Sequence, residues 1–506
     1  MKCDNKLIVA GLLLLPTLVF VSLGDINHMV KLFPDDAFYY LQTAYNTANH
    51  RFISFDGLNP TNGFHPLQFL IATAIAFVAE KEYLLKLSII ENAVAVIFSS
   101  WVLTRCFFEK YPQRVQNIAL VFLSFPIWYL YIWLDAGMEV GPVLFCTVLF
   151  YCAWTKSSDD DFRTISLNCK MAFFAAILVL ARLDLIITLI PFALIYLYFL
   201  FKQKVSLAEF ALPTTIVCLI LLPYLFWNIF HYGHLVPVSG VVKSGFEHNI
   251  MNSWRALTGG NAAGVAIVIL PIIMILIALL TSDRGKKRSN LLLLLAATIL
   301  YYGYITLIAK DVFRWYLAFP IATQTIALSI LFEKIYQIKS IQRVLDKKSL
   351  APVFLMIAMS SQGVFYFWAA HINTTSYELK MIAEDINRKL SKDEVLATYD
   401  AGTLGFFCNV KVTNLDGLAN SFEFYENHSR TGKFLEYFNQ TGVTHLLIRD
   451  SLFQTMQNDP SNGKFMPDDR IILEKEYKLA EYEIPGQFSL ILYKLNNRSN
   501  NIKTGI

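Results

Sequence analysis

Long apolar runs separated by short polar breaks fill the chain from Leu7 to His371, and a different pattern follows. The runs lie at about 7–23, 66–79, 84–104, 115–134, 138–154, 170–182, 185–201, 210–230, 261–281, 291–308, 313–333 and 350–371. Most are roughly 17–21 residues long, enough for a helix to cross a hydrocarbon core. Leu7–Leu23 resembles a signal-peptide apolar region but lacks a small-residue cleavage site, so it reads as a retained first span. Basic clusters in short loops set the orientation. Lys202, Lys204, Lys286, Lys287, Arg288 and the stretch Lys334–Lys348 read as cytoplasmic. The loops near 135–139, 183, 231–260 and 309–314 then face outside, as does everything after His371. With Lys2 and Lys6 inside and Arg105, Lys110 and Arg114 inside, only one of the two runs between them can cross. The short run at 66–79 is expected to be re-entrant or interfacial, unless 105–114 breaks the charge rule. About 11 spans result.

From about Asn373 the periodicity changes to short β-rich runs, "KDEVLATYD", "VKVTNLDG", "GVTHLLIRD" and "FSLILYK", with helical stretches such as Tyr377–Leu390 between them. The expected fold is a polytopic α-helical membrane protein with a C-terminal soluble α/β domain. Its parts are a membrane domain over 1–372 with a first external loop at 24–66, an external domain over 373–495, and a disordered tail over 496–506.

Composition supports this. The chain of 506 residues is 55% hydrophobic and 16% charged, below the roughly 25% of soluble domains. A net charge of +4 suggests no nucleic-acid partner. The cysteines form no CxxC pair, and only Cys408 lies in the C-terminal domain.

The unusual polar residues cluster in the outer loops. Asp35 and Asp36 open an aromatic helix after Pro34; one acid could cap it, and the other could serve as a general base. "GLNPTNGFHPL", residues 57–67, is a tight loop holding Asn59, Asn62 and His65, either a structural turn or a polar floor for a sugar or phosphate. "LDAGMEV" carries Asp135 and Glu139, which share a face if helical. "ARLD" sets Arg182 beside Asp184, a helix-ending ion pair or part of a site. "FHYGHLVPVSGVVKSG" presents Lys243, an outward lysine against the usual bias, and two histidines too few for a metal site. "AKDVFRWY" holds Lys310, Asp311 and Arg314, the last an interfacial anchor or a bidentate phosphate ligand. Acids and bases from at least five separated loops thus gather on one membrane face, as an enzyme for an anionic, lipid-tethered substrate requires.

In their order, "DDAFYY", "FDGLNPTNGFHPL", "GMEV", "ARLD", "YGHLVPVSGVVK" and "KDVFRWYLAFP" resemble the GT-C membrane glycosyltransferases, within them the subgroup of mycobacterial-type terminal arabinofuranosyltransferases. Two departures, Val140 for Thr and Pro237-Val238-Ser239 for Pro-Asn-Thr, leave the sugar open. The resemblance implies transfer, with inversion, from a polyprenyl-phosphate-linked sugar to a cell-envelope glycan, lipid or protein. The setting it implies is a bacterial inner membrane, with the site facing the periplasm or exterior. It assigns Asp35 and Asp36 as catalytic base or, for a divalent cation if one is used, as ligands. Asn62, His65, Glu139, Arg182, Asp184, Lys243 and Arg314 then become substrate-binding candidates. The competing expectation is a transporter or flippase of lipid-linked sugars, which would show repeats and midplane charges.

Overall fold

The computed structural model describes residues 5–124, 135–202, 206–244, 250–283, 285–309, 312–347, 349–372, 374–449 and 478–495. The expected tail at 496–506, together with Lys310 and Asp311, lies outside the described residues.

Among the described residues nine helices are long and apolar enough to cross a membrane. Ala318–Tyr336 is buried along nearly its whole length and packs on Ala262–Thr281, Val140–Asp159 and Lys81–Phe108. At the rim, Leu207–Tyr232 runs along Ile165–Ala181 and turns large apolar side chains such as Leu219 and Phe230 outward. So wide an apolar surface suits lipid and would be a liability in water. The chain is an integral membrane protein.

The short apolar run at 66–79 forms the helix Pro66–Ala76. Its 11 residues reach about 16 Å, half of a hydrocarbon core. Pro66 opens it at the position where a missing N–H costs nothing. Gln113–Leu123 ends where the described residues stop, so the span count rests on the nine long helices and the 17-residue Ile165–Ala181.

The C-terminal domain is built on a sheet of five strands: β1 (Val395–Thr398), β2 (Lys411–Asn414), β3 (His445–Arg449), β4 (Lys478–Ile484) and β5 (Phe488–Lys494). The order is β2-β1-β3-β5-β4, parallel through β2, β1 and β3 and antiparallel at β3-β5 and β5-β4. The four β-rich runs in the sequence became β1, β2, β3 and β5. Strand β4, "KLAEYEI", went unread because it is a largely exposed edge whose charges hide its alternation.

This domain is not a tethered appendage. Tyr39 and Phe55 of the first loop share one hydrophobic cluster with Leu379, Ile382, Leu404 and Leu492. Two glycines allow the close seating. A Cβ on Gly402 would lie 2.1 Å from the Asp35 carbonyl oxygen, and one on Gly63 would lie 1.9 Å from that of Leu418.

Candidate active site

The helix Asp35–His50 stands between the membrane bundle and the C-terminal domain. Pro34 occupies its N-cap position without a side-chain hydrogen bond, so neither acid caps it. Both sit in its first turn, where the helix dipole favours negative charge. Successive side chains on a helix diverge by about 100°. The two carboxylates therefore meet different partners.

Asp36 turns toward the bundle and accepts from the Lys243 ammonium at 2.6 Å. Asp35 turns toward the C-terminal domain. It accepts from the backbone N–H of Gly402 at 3.1 Å and of Thr403 at 2.7 Å, and from the Thr403 hydroxyl at 2.7 Å. Burial, with the Asp400 charge adding to it, pushes the Asp35 carboxyl up to about 8, against the pull of the Thr403 donors. Tyr39, one turn on, strengthens the seam. Its hydroxyl donates to Asp416 and accepts from the Ala401 N–H and the Asn414 amide.

Lys243 follows the short helix Val238–Val242, whose start is fixed from the first loop. The Asn62 side chain accepts from the Val238 N–H and donates to Asn228, both at 3.0 Å. Asn62 is fully buried and does not border the cavity described below; it holds the loops that do. Burial pulls the Lys243 ammonium down, but the Asp36 carboxylate outweighs it, and the lysine ends above its ordinary value. The rings of Phe313 and Trp315 flank the ammonium at 5.1 and 5.9 Å.

Beside this pair lies a second one. Arg182 donates to Glu139 at 2.7 Å and grips Asp184 through Nε at 2.9 Å and Nη2 at 3.0 Å. The guanidinium also stacks 3.7 Å from the Tyr316 ring centroid, and Tyr40 donates to Glu139. Arg182 and Glu139 are almost fully buried, so each is viable only because the other is there. His65 faces Glu139 across 3.9 Å. Burial, reinforced by the Arg182 charge, pulls the imidazole down to about 3, so it is neutral near pH 7. Its Nδ1 accepts from the Leu183 N–H, which leaves the ring proton on Nε2.

These groups line one cavity of about 330 Å³, bordered by Asp36, His65, Glu139, Arg182, Asp184 and Lys243 and roofed by Leu418 of the C-terminal domain. Tyr39, Tyr40, Tyr304, Trp315 and Tyr316 supply aromatic walls. Asp35 and Arg314 are not among its lining residues. Arg314 instead pairs with Asp135 at 2.8 Å, and burial raises that carboxyl to about 6 even with the arginine beside it. The expected shared face of Asp135 and Glu139 does not form. Gly137, at φ +80°, turns the segment before the helix begins at Val140, so each acid takes its own arginine.

The tyrosines and Leu418 escaped the sequence reading. Their types are ordinary membrane-boundary residues, and only helical spacing from Asp36 would have flagged Tyr39 and Tyr40. As a metal set the acids do not fit. Among the described residues no three His, Cys, Asp or Glu side chains converge. Asp35 and Asp36 also point to different partners.

No family model and no curated protein sequence matches the chain. Solved structures do. The chain superimposes on ArnT from Cupriavidus metallidurans bound to undecaprenyl phosphate with a TM-score of 0.57, at 12% identity, over 95% of this chain and 98% of that one. It superimposes on the apo oligosaccharyltransferase of Archaeoglobus fulgidus with a TM-score of 0.52, at 14% identity, over 98% of this chain and 75% of that one. The fold is GT-C-like. A third match is the oligosaccharyltransferase AglB from Archaeoglobus fulgidus, solved with an inhibitory peptide and a dolichol-phosphate, at a TM-score of 0.52 and 14% identity, over 100% of this chain and 76% of that one. At such identities the likeness is one of architecture.

Proposed function

We propose that this protein transfers a sugar from a polyprenyl-phosphate-linked donor to a cell-envelope glycan, lipid or protein acceptor, with inversion at the anomeric carbon. The observation that carries the reading is the convergence of Asp36, Lys243 and the Glu139–Arg182–Asp184 cluster, from four separate stretches of the chain, on one aromatic-walled cavity. It is supported by a fold shared with ArnT and AglB, proteins solved with undecaprenyl phosphate and dolichol-phosphate. The terminal arabinofuranosyltransferases remain the subgroup of choice from the motifs, and the cavity is read as facing the periplasm or exterior of a bacterial inner membrane.

Asp36 is the base in this reading, because it borders the cavity and Asp35 does not. Lys243 is the donor's phosphate ligand. A phosphate arriving beside Lys243 competes with Asp36 for the ammonium. As the ammonium moves to the phosphate, the carboxylate loses its counter-charge and becomes a stronger base. It then takes the acceptor hydroxyl's proton as that oxygen attacks the anomeric carbon. The bond to the phosphate oxygen breaks, and Lys243 stabilises the charge left there. Neutral His65 offers its Nε2–H to a sugar oxygen, and the aromatic walls exclude water. Arg182 acts as a positioning residue: its donors go to Glu139 and Asp184, which it holds at the cavity edge. Any divalent cation would need ligands beyond the two acids, and no step above uses one.

The test is to incubate the full-length protein in lipid nanodiscs with a panel of polyprenyl-phosphate sugars and acceptor glycans. Release of free polyprenyl phosphate together with a new glycosidic linkage supports transfer. Movement of the intact donor between leaflets without a new linkage would establish the transporter reading instead.

A further inference from the structure

A second cavity, of about 410 Å³, lies on another side of the Asp35–His50 helix and shares no lining residue with the first. Gln42, Tyr45 and Asn46 come from that helix, Lys81 from the start of a span, and Asn409 and Lys411 from the C-terminal domain. Positions 42, 45 and 46 lie roughly 80–180° around the helix from 36 at about 100° per residue, and several residues further along it.

Asn46 is satisfied, donating to the Ser54 and Phe55 carbonyls at 2.9 Å, but not every polar group of this cavity is. Gln42 is 8% exposed, and its Nε2 donates to Asn46 at 3.1 Å, while its Oε1 has no hydrogen-bond partner among the described residues. A buried amide oxygen in that state calls for a donor. Lys81 donates to the Phe406 carbonyl at 2.8 Å and lies 5.1 Å from the Tyr45 ring, and no carboxylate pairs with it among the described residues. Lys411, exposed at the start of β2, likewise has no carboxylate partner there. The one carboxylate in the lining, Asp56, is already committed. Its Oδ1 accepts from Ser54, Leu58 and Asn59, and its Oδ2 from Asn59 and Thr413.

A ligand for this cavity must carry negative charge for two lysines and a hydroxyl donor for Gln42. It must also offer an apolar face to the rings of Tyr45, Phe52 and Phe55. A phosphate alone has no apolar face, and a lipid tail has no donor. We propose that the cavity is an exosite for an acidic saccharide, a sugar chain bearing carboxylate or phosphate groups. One of its hydroxyls meets Gln42, and its anionic groups meet Lys81 and Lys411. Binding here requires no turnover, so the proposal stands apart from the transfer reaction.

Calorimetric titration of the full chain in phosphatidylcholine nanodiscs with oligogalacturonate, and with neutral maltoheptaose as control, tests it. Oligogalacturonate should bind more tightly than maltoheptaose. The exposed substitution Lys411→Glu should weaken it about tenfold or more, the size of one charge-assisted contact. Lys81→Met should weaken it too, with Lys411→Glu guarding against a folding defect because Lys81 packs on Phe406. Asp36→Asn should bind oligogalacturonate as the wild type does, which separates this site from the reaction cavity. Equal affinity for both oligosaccharides, or none for either, would overturn the proposal, as would an unchanged Lys411→Glu titration. So would binding that follows phosphatidylglycerol in the disc and not the saccharide, which would assign the lysines to a lipid headgroup.

Discussion

Asp35 and Asp36 are adjacent in the chain and alike in chemistry, yet the two sides of their helix give them different work. The Asp36 side borders a cavity, where the carboxylate meets one ammonium, which in the proposed reaction a phosphate takes away. The Asp35 side meets three fixed donors of the C-terminal domain and no cavity. A carboxyl group held by three fixed donors is a fastening; a carboxylate held by a lysine at a cavity edge can be released. The comparison teaches that function here follows from what a partner can do when a ligand arrives, and not from the acid itself.

The comparison can be broken or sharpened at several points. The largest effect belongs to the cluster that frames the cavity. Arg182→Met leaves Glu139 and Asp184 without their counter-charge, and should cost about 3–5 kcal/mol of stability, read as a lower unfolding temperature in detergent. Stability within 1 kcal/mol of wild type, on the order of a surface pair, would mean that the cluster is not what holds the cavity edge. Lys243→Met comes next. It should weaken undecaprenyl phosphate binding by about 10–150-fold, the weight of a charge-assisted bond. Unchanged affinity would remove the lysine from the phosphate site.

The Asp35 side should show itself through pH. Its carboxyl is raised to about 8 in the folded protein, above the ordinary value of about 4, so between those values the native state holds a proton that the unfolded chain has released. That stabilisation is fully present at low pH and is lost as pH rises toward 8. The unfolding temperature of wild type should therefore fall more between pH 5 and pH 8 than that of Asp35→Asn. An identical fall in both would show that Asp35 does not titrate in this window. The smallest effect should be that of Arg314→Met. Its pair with Asp135 lies off the cavity, exposed on the arginine side and buried on the aspartate side; the unpaired Asp135 can take up a proton, so stability should fall by less than in Arg182→Met, and lipid-phosphate affinity should not change. A tenfold loss of affinity would restore Arg314 to the phosphate site.

Much of this was legible in the sequence because membrane chains declare themselves: the apolar runs mark the long helices and the short Pro66–Ala76 helix, and the change of period near Asn373 marks four of the five strands. The order of polar motifs also named Asp36, His65, Glu139, Arg182, Asp184 and Lys243, all of which border one cavity. What was not legible was direction. Nothing in "DDAFYY" says which acid faces the bundle, since that depends on how the C-terminal domain seats on the helix some 370 residues later. Asn62 and Arg314 look like ligands by type. Neither borders the cavity, and each has a distant partner, Asn228 with Val238 for the first and Asp135 for the second.

The most direct test of the account compares the two acids as near-isosteric variants, with donor and acceptor held constant. On a polyprenyl-phosphate sugar that the wild type turns over, Asp36→Asn should lose about 10²–10⁴-fold in transfer rate, as expected for a general base. Asp35→Asn should keep its rate within about tenfold of wild type, because the carboxyl group it removes touches the seam and not the cavity. If Asp35→Asn abolishes transfer while Asp36→Asn retains it, or if both variants transfer at the wild-type rate, the assignment of the base to the Lys243 side of the helix is wrong.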